Sequence, residues 1–174
     1  MNYDYGSTNG IFAAFFLVFA AIYGLVLLIA IAYYVVLSIS LMSFFRKVGV
    51  KPWIAWVPIY NTWVRLEIGG QPGWISLLSL VSPGGIITAV FLYIGMYRTG
   101  FAFRKDGTFL VLGIFLPFVW AFMLGGRDSV YEPELITALG YPPPLAGFGA
   151  PRPNWADQGY QPPNAPGFAA PPAA

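Results

Sequence analysis

Residues 11–45 contain no charge, and only Gly24, Ser38, Ser40 and Ser43 interrupt the apolar set. As one helix the run would be about 52 Å long, against about 30 Å of bilayer hydrocarbon. No turn signal divides it, and halving it leaves two pieces too short to cross. The pattern therefore predicts one long, tilted helix, stopped by Arg46, Lys47 and Lys51. Two further apolar runs follow at 74–97 and 109–124. Small residues on both sides extend the second of these to 108–126. Ser82-Pro83-Gly84-Gly85 interrupts one run and Pro117 the other, and such breaks are tolerated in membranes where neighbours satisfy the freed backbone groups. The expected fold is all-α: an integral membrane domain over 11–129 with spans at 11–45, 74–97 and 108–126. The helix breaks fall at Pro83, Gly84, Gly85 and Pro117.

Between the first two runs lies KPWIAWVPIYNTWVRLEIGGQPGW, residues 51–74, which mixes charge with tryptophan. Trp53, Trp56, Trp63 and Trp74 are of the type that gathers where headgroups meet hydrocarbon. Lys51, Arg65 and Glu67 are costly inside the hydrocarbon. Pro58 suits a first helical turn and Gly69-Gly70 a stop, so an amphipathic interfacial helix is predicted within 53–68. Asn61, Thr62 and Arg65 share one face by their spacing and are expected to meet water. Trp53, Trp56, Asn61, Trp63, Arg65 and Trp74 are the candidate contact residues for the bilayer surface or a partner.

Residues 1–10 hold no Lys or Arg, whereas Arg46, Lys47 and Lys51 follow the first span. By the positive-inside rule the N-terminus is outside and residues 46–51 are cytoplasmic. Three crossings then place the C-terminus in the cytoplasm and leave Arg98, Arg104 and Lys105 outside. The alternative is a re-entrant hairpin with its tip at residues 82–85, which keeps that loop inside and moves the C-terminus out. Three crossings are the expectation, because the run at 74–97 is long enough for a full one.

From residue 130 the composition turns to Pro, Gly and Ala. Residues 131–140 form a short helix at most, with Pro133 near its start and Gly140 as its stop. The tail beyond it cannot bury enough apolar area to offset its ordering entropy, so it is expected to be disordered and dispensable for folding. Trp155, Tyr160 and Phe168, set apart among prolines, are the candidate anchors of a docking segment, the alternative being a tail that is only a solvated spacer.

The chain is 57% hydrophobic and 9% charged, against about 25% charged in an average soluble domain. A net charge of +2, dispersed along the chain, does not make a nucleic-acid surface. With no Cys and no His, disulfides, thiolate chemistry and most zinc, haem and iron–sulfur sites are excluded. No cofactor or metal is expected. No Ser-x-x-Lys spacing exists, and the carboxylates Glu67, Asp106, Asp128, Glu132, Glu134 and Asp157 all lie at predicted edges or in the tail. Gly69-Gly70 and Gly84-Gly85 lack the context of a phosphate loop. No catalytic residue is identified, and no ionisable group falls at mid-span, where transport would need one.

The series W-V-P-I-Y-N at 56–61 and R-L-E-I-G-G-Q-P-G-W at 65–74 resembles a family of small bacterial membrane proteins of unknown function. Pro83 and Phe115-Leu116-Pro117-Phe118 stand where that family has two Pro-containing apolar segments, and Arg98, Gly100 and Phe101 match its short connection loosely. The resemblance covers about residues 33–126. Similar segments precede signal-peptidase-like domains in some bacteria, but none follows here, and peptidase activity does not carry over. The resemblance implies the bacterial cytoplasmic membrane, with a tail of actinobacterial style, and no catalytic residue. The expected function is non-enzymatic: an accessory or scaffold subunit of a larger membrane or envelope assembly, held by lipid and by a membrane partner or a second copy. The alternative is a channel or transporter subunit acting as a homo-oligomer.

Overall fold

The charge-free run folds as a single helix, α1 (Tyr5–Val48), in a computed structural model that describes residues 5–149. The proposed anchors Trp155, Tyr160 and Phe168 lie outside the described residues. Its 44 residues make a rod about 66 Å long. Arg46 and Lys47 occupy its last turn, where cations offset the helix dipole. Residues 10–33 are exposed all round, while Leu41, Phe44, Phe45 and Val48 are fully buried. The helix is apolar on every side, so no polar face dictates which side meets water. What distinguishes its two parts is only that the rest of the described chain packs on the C-terminal third.

That packing takes the form of three helical hairpins. The first descends as a 3-10 helix, Pro52–Trp56, and returns as α2 (Pro58–Ile68). Tyr34 Oη donates to the Trp56 carbonyl at 2.6 Å, which places Trp56 roughly four turns back along α1 from Val48. The return leg comes back to the end of α1, since Ile68 and Val48 both border Gly147. The second hairpin descends as a 3-10 helix, Gly73–Leu80, and returns as α3 (Gly84–Ala102). Thr88 Oγ1 donates to the Ile75 carbonyl at 2.8 Å across the two legs. The third consists of α4 (Phe109–Phe115) and α5 (Pro117–Gly125). Phe109 and Trp120 lie 6.4 Å apart, ring to ring, across this hairpin. Phe118 meets Tyr33, Trp120 meets Phe44 and Gly125 sits against Ser43, so α5 runs alongside α1 toward the same end.

A proline marks each tip: Pro58, Pro83 and Pro117 all open the returning leg. Pro58 and Pro117 stand at the first helical position, where Pro loses no hydrogen bond and arrives with φ already set, whereas Pro83 is the N-cap of α3. The tips are apolar and open, with Val81 66% and Phe115 77% exposed. Gly69 and Gly95 let α2 and α3 cross backbone to backbone, because a Cβ on Gly69 would fall on the Gly95 backbone. A Cβ on Gly125 would likewise meet Ser43 and the Phe44 backbone, where α5 closes on α1.

Several expected boundaries change. The helix placed at 53–68 is two elements joined at Val57, and the run at 74–97 is a 3-10 leg plus a helix that continues to Ala102. The run at 108–126 turns back at Leu116. Every described element is helical, and two helices, Gly10–Val48 within α1 and Gly84–Ala102, are long and apolar enough to cross a membrane.

The described part of the tail is not the free coil expected of its composition. After α6 (Glu134–Ala138), residues 141–149 lie over the hairpin ends as a strap. Leu145 N donates to the Glu67 carbonyl at 2.8 Å and Gly149 N to the Val48 carbonyl at 3.0 Å. Tyr141 stacks on Phe101 at 6.3 Å, beneath the Arg98 guanidinium. A Pro-rich segment has no core of its own, but here it borrows one.

Candidate functional site

The chain's contact chemistry gathers in three zones: exposed aromatics near the hairpins, a polar cluster turned inward from α2, and a cationic end. Trp53 and Trp74 are each 55% exposed, and Trp56 is also exposed. Trp56 Nε1 points at Met42 Sδ, 3.0 Å away, so this indole anchors the first hairpin to α1 as well as facing outward. Trp63 differs from the others. Its Nε1 donates to Glu67 Oε1 at 2.6 Å, one turn along α2, and its ring lies against Gly73.

The polar face of α2 does not meet water as its spacing suggested. Asn61 is buried and its Nδ2 donates to the Ala55 carbonyl at 3.2 Å, tying α2 to the preceding leg. Thr62 Oγ1 returns to the Pro58 carbonyl at 3.1 Å. Arg65 reaches α3, where Nη2 lies 3.1 Å from Met96 Sδ, a weak acceptor. Its Nε is buried with no partner among the described residues. The helical spacing correctly groups Asn61, Thr62 and Arg65, but the shared face turns inward. In a body whose outside is apolar, the interior is where polar side chains find backbone acceptors.

Of the break residues, Gly84 sits where a Cβ would meet the Leu78 carbonyl, whereas Gly85 has nothing within 4 Å. Pro83 caps α3, and Pro117 follows Leu116, whose N–H still closes α4 onto Leu112 at 2.8 Å. These residues form the turns of the hairpins and are not brought together into one site.

The cationic end is the feature that the sequence hid. Lys47 Nζ is 3.5 Å from the Arg127 carbonyl, so the end of α5 meets the end of α1. Arg98 Nη1 reaches the Gly69 carbonyl at 3.4 Å. Glu132 N donates to the Ala102 carbonyl at 2.8 Å, and Arg104 pairs with the Glu132 carboxylate at 2.8 Å. Tyr131 Oη donates to the Gly147 carbonyl at 2.7 Å, and burial raises that phenol above the usual tyrosine range. Arg46, Lys47, Arg98, Arg104 and Arg127 therefore stand at one end of the molecule, joined by these contacts. Three full crossings would divide them between two faces. The only sequence signal for their union was that each lies just past an apolar run. Among the described residues there is no cluster of three or more His, Cys, Asp or Glu that could hold a metal ion.

Residues 53–133 match a family of unknown function, DUF5684. That stretch takes in the three hairpins except for Pro52 and leaves out α1 and residues 134–149. No curated protein and no solved structure matches the chain.

Proposed function

We propose that this is a non-enzymatic integral protein of a bacterial cytoplasmic membrane, an accessory subunit that joins a larger assembly through α1. The observation that carries the reading is the 24-residue stretch 10–33, apolar and exposed on every side while the rest of the protein packs elsewhere. A hydrophobic span needs about 20 residues, so this stretch is long enough to be the crossing. It also presents Phe12, Phe15, Phe16, Phe19 and Tyr23 to whatever lies beside it.

The same reading revises the topology. Each hairpin enters and leaves at the end where α1 stops, so only α1 crosses from one face to the other. With the N-terminus outside, the cationic end is cytoplasmic, as the positive-inside rule asks. Arg98, Arg104 and Lys105 then need no exception, and the C-terminal side of residue 127 is cytoplasmic too. The apolar tips at Val57, Val81 and Phe115 dip into the hydrocarbon from that face.

Two measurements test this. The chain has no cysteine, so single Cys variants at Lys51, Lys105 and Arg127 can be labelled without background in oriented vesicles. All three are expected to react from the cytoplasmic side; Lys105→Cys reacting from the other side restores three crossings. Photo-crosslinkers at Phe15, Phe19 and Val26 are expected to capture another membrane protein. Capture of a second copy alone favours the homo-oligomeric channel, and capture of lipid alone refutes a partner on α1.

A further inference from the structure

We propose that the cleft between the ends of α1 and α5 binds a phosphate group, supplied by the head of an anionic phospholipid. The cleft has a volume of about 340 Å³ and is lined by Ser43, Arg46, Lys47 and Gly125. That is at the lower end of the range for small-ligand sites, about 300–1,000 Å³, and suits a headgroup rather than a whole lipid. At Gly125 α5 can close on α1 because that residue lacks a side chain: a Cβ there would meet Ser43 Oγ and the Phe44 backbone. Lys47 Nζ lies 3.5 Å from the Arg127 carbonyl, and Arg127 and Asp128, two and three residues beyond Gly125, are both exposed. Among the described residues the one ion pair is Arg104 with Glu132, so Arg46 and Lys47 keep their charge for a ligand.

The backbone does not help. Both α1 and α5 present their carbonyl ends here, and a helix C-terminus repels an anion. Any anion in the cleft is therefore held by the two side-chain cations, one a point charge and one a planar fork suited to two phosphate oxygens. One further observation chooses the lipid over a free phosphate. Ile39 and Val36 lie one and two turns before Ser43 on the same face of α1, and are 46% and 41% exposed. The cationic cleft thus continues directly into an apolar stripe, which fits a ligand with an anionic head and hydrocarbon tails. Basic pockets between helices at the cytoplasmic boundary have this chemistry in general. The placement rests on α1 crossing the membrane, as proposed above.

The test uses the purified full chain in neutral detergent, where orientation in a membrane plays no part. Binding of dihexanoyl-phosphatidylglycerol, dihexanoyl-phosphatidylcholine and glycerol phosphate is measured by calorimetry. The expected result is saturable binding of the phosphatidylglycerol, one per chain, with the other two at least tenfold weaker. Arg46→Gln with Lys47→Gln should weaken it at least tenfold. Lys51→Gln with Lys105→Gln removes the same charge from the same end outside the cleft and should change it less than threefold. Arg46→Gln alone, at an exposed position, supplies a second variant should the double one unfold, and a loss of threefold or more is expected. Equal losses in both double variants would mean a diffuse surface potential and overturn the site. Glycerol phosphate binding as tightly as the lipid would overturn the lipid assignment. Absence of saturable binding would overturn both, whereas the labelling pattern of Lys105→Cys would stay as it is and judge the topology separately.

Discussion

Gly69→Ala should destabilise the protein, while Gly95→Ala, on the other side of the same crossing, should not. The two glycines face each other where α2 meets α3, yet their geometry is unequal. A Cβ on Gly69 lands on the Gly95 backbone, which cannot rotate out of the way. A Cβ on Gly95 finds its nearest neighbours at 3.6, 3.7 and 3.9 Å, which is ordinary contact. Backbone strain does not enter, since Gly69 has φ −81° and ψ 8°, open to alanine. The cost is steric alone. Overpacking of this kind costs about 1–3 kcal/mol, and the upper end applies when backbone must move. Displacement would also pull the Gly69 carbonyl from Arg98. At about 2–4 °C per kcal/mol for a chain of this size, the melting temperature should fall by about 5–10 °C. Gly95→Ala should instead gain up to about 1 kcal/mol from helix propensity. Gly85, with nothing within 4 Å, serves as a second tolerant position. The six tryptophans report unfolding directly by fluorescence in detergent. Equal melting of Gly69→Ala and the unsubstituted protein, or an equal fall in Gly95→Ala, would refute this crossing.

Two further outcomes bear on the strap over the cationic end. Truncation after Gly140 should lower thermal stability, because it removes the Tyr141 stack and the Leu145 and Gly149 hydrogen bonds; a melting curve unchanged by truncation would mean that the strap contributes nothing. Tyr131→Phe should cost about 1 kcal/mol through loss of its hydrogen bond to Gly147. Burial raises the Tyr131 phenol in the folded state, so its contribution is intact below the unfolded value of about 10 and declines as pH rises beyond it. The variant should therefore lose less stability than the parent between neutral pH and pH about 11, and parallel losses would contradict the burial of this hydroxyl.

Local signals in the sequence specify much of the fold. The absence of charge predicts α1, and Arg46-Lys47 mark its last turn. Pro58 and Gly69-Gly70 bracket α2, and Pro133 and Gly140 bracket α6. Pro83 and Pro117 mark breaks in the later runs. What a break does to the chain's direction is a different matter. A kink and a full reversal leave the same Pro or Gly in the sequence. The choice is made by distant partners, such as Thr88 with Ile75 and Trp120 with Phe44. The orientation of α2 is hidden at the same step. Spacing says that Asn61 and Arg65 share a face, but not whether that face looks outward. In soluble helices the polar side is outside by default, and an apolar surround removes that default. The strap is hidden for a third reason: composition shows that residues 141–149 cannot form a core, and is silent on whether they can cover one.

The hairpins give the molecule unequal widths. At the level of Phe44 it is α1 together with the legs of three hairpins, and before Tyr33 it is one helix alone. Set in a bilayer, such a body displaces much more lipid area from one leaflet than from the other. Each inserted copy then adds area to the cytoplasmic leaflet on the topology proposed here, and many copies together would favour a membrane that bulges toward the cytoplasm. Flat membrane would resist crowding of these wedges, so their density and the local curvature become linked quantities. That linkage needs no ligand and no partner; it follows from three turns that send the chain back to the face it came from.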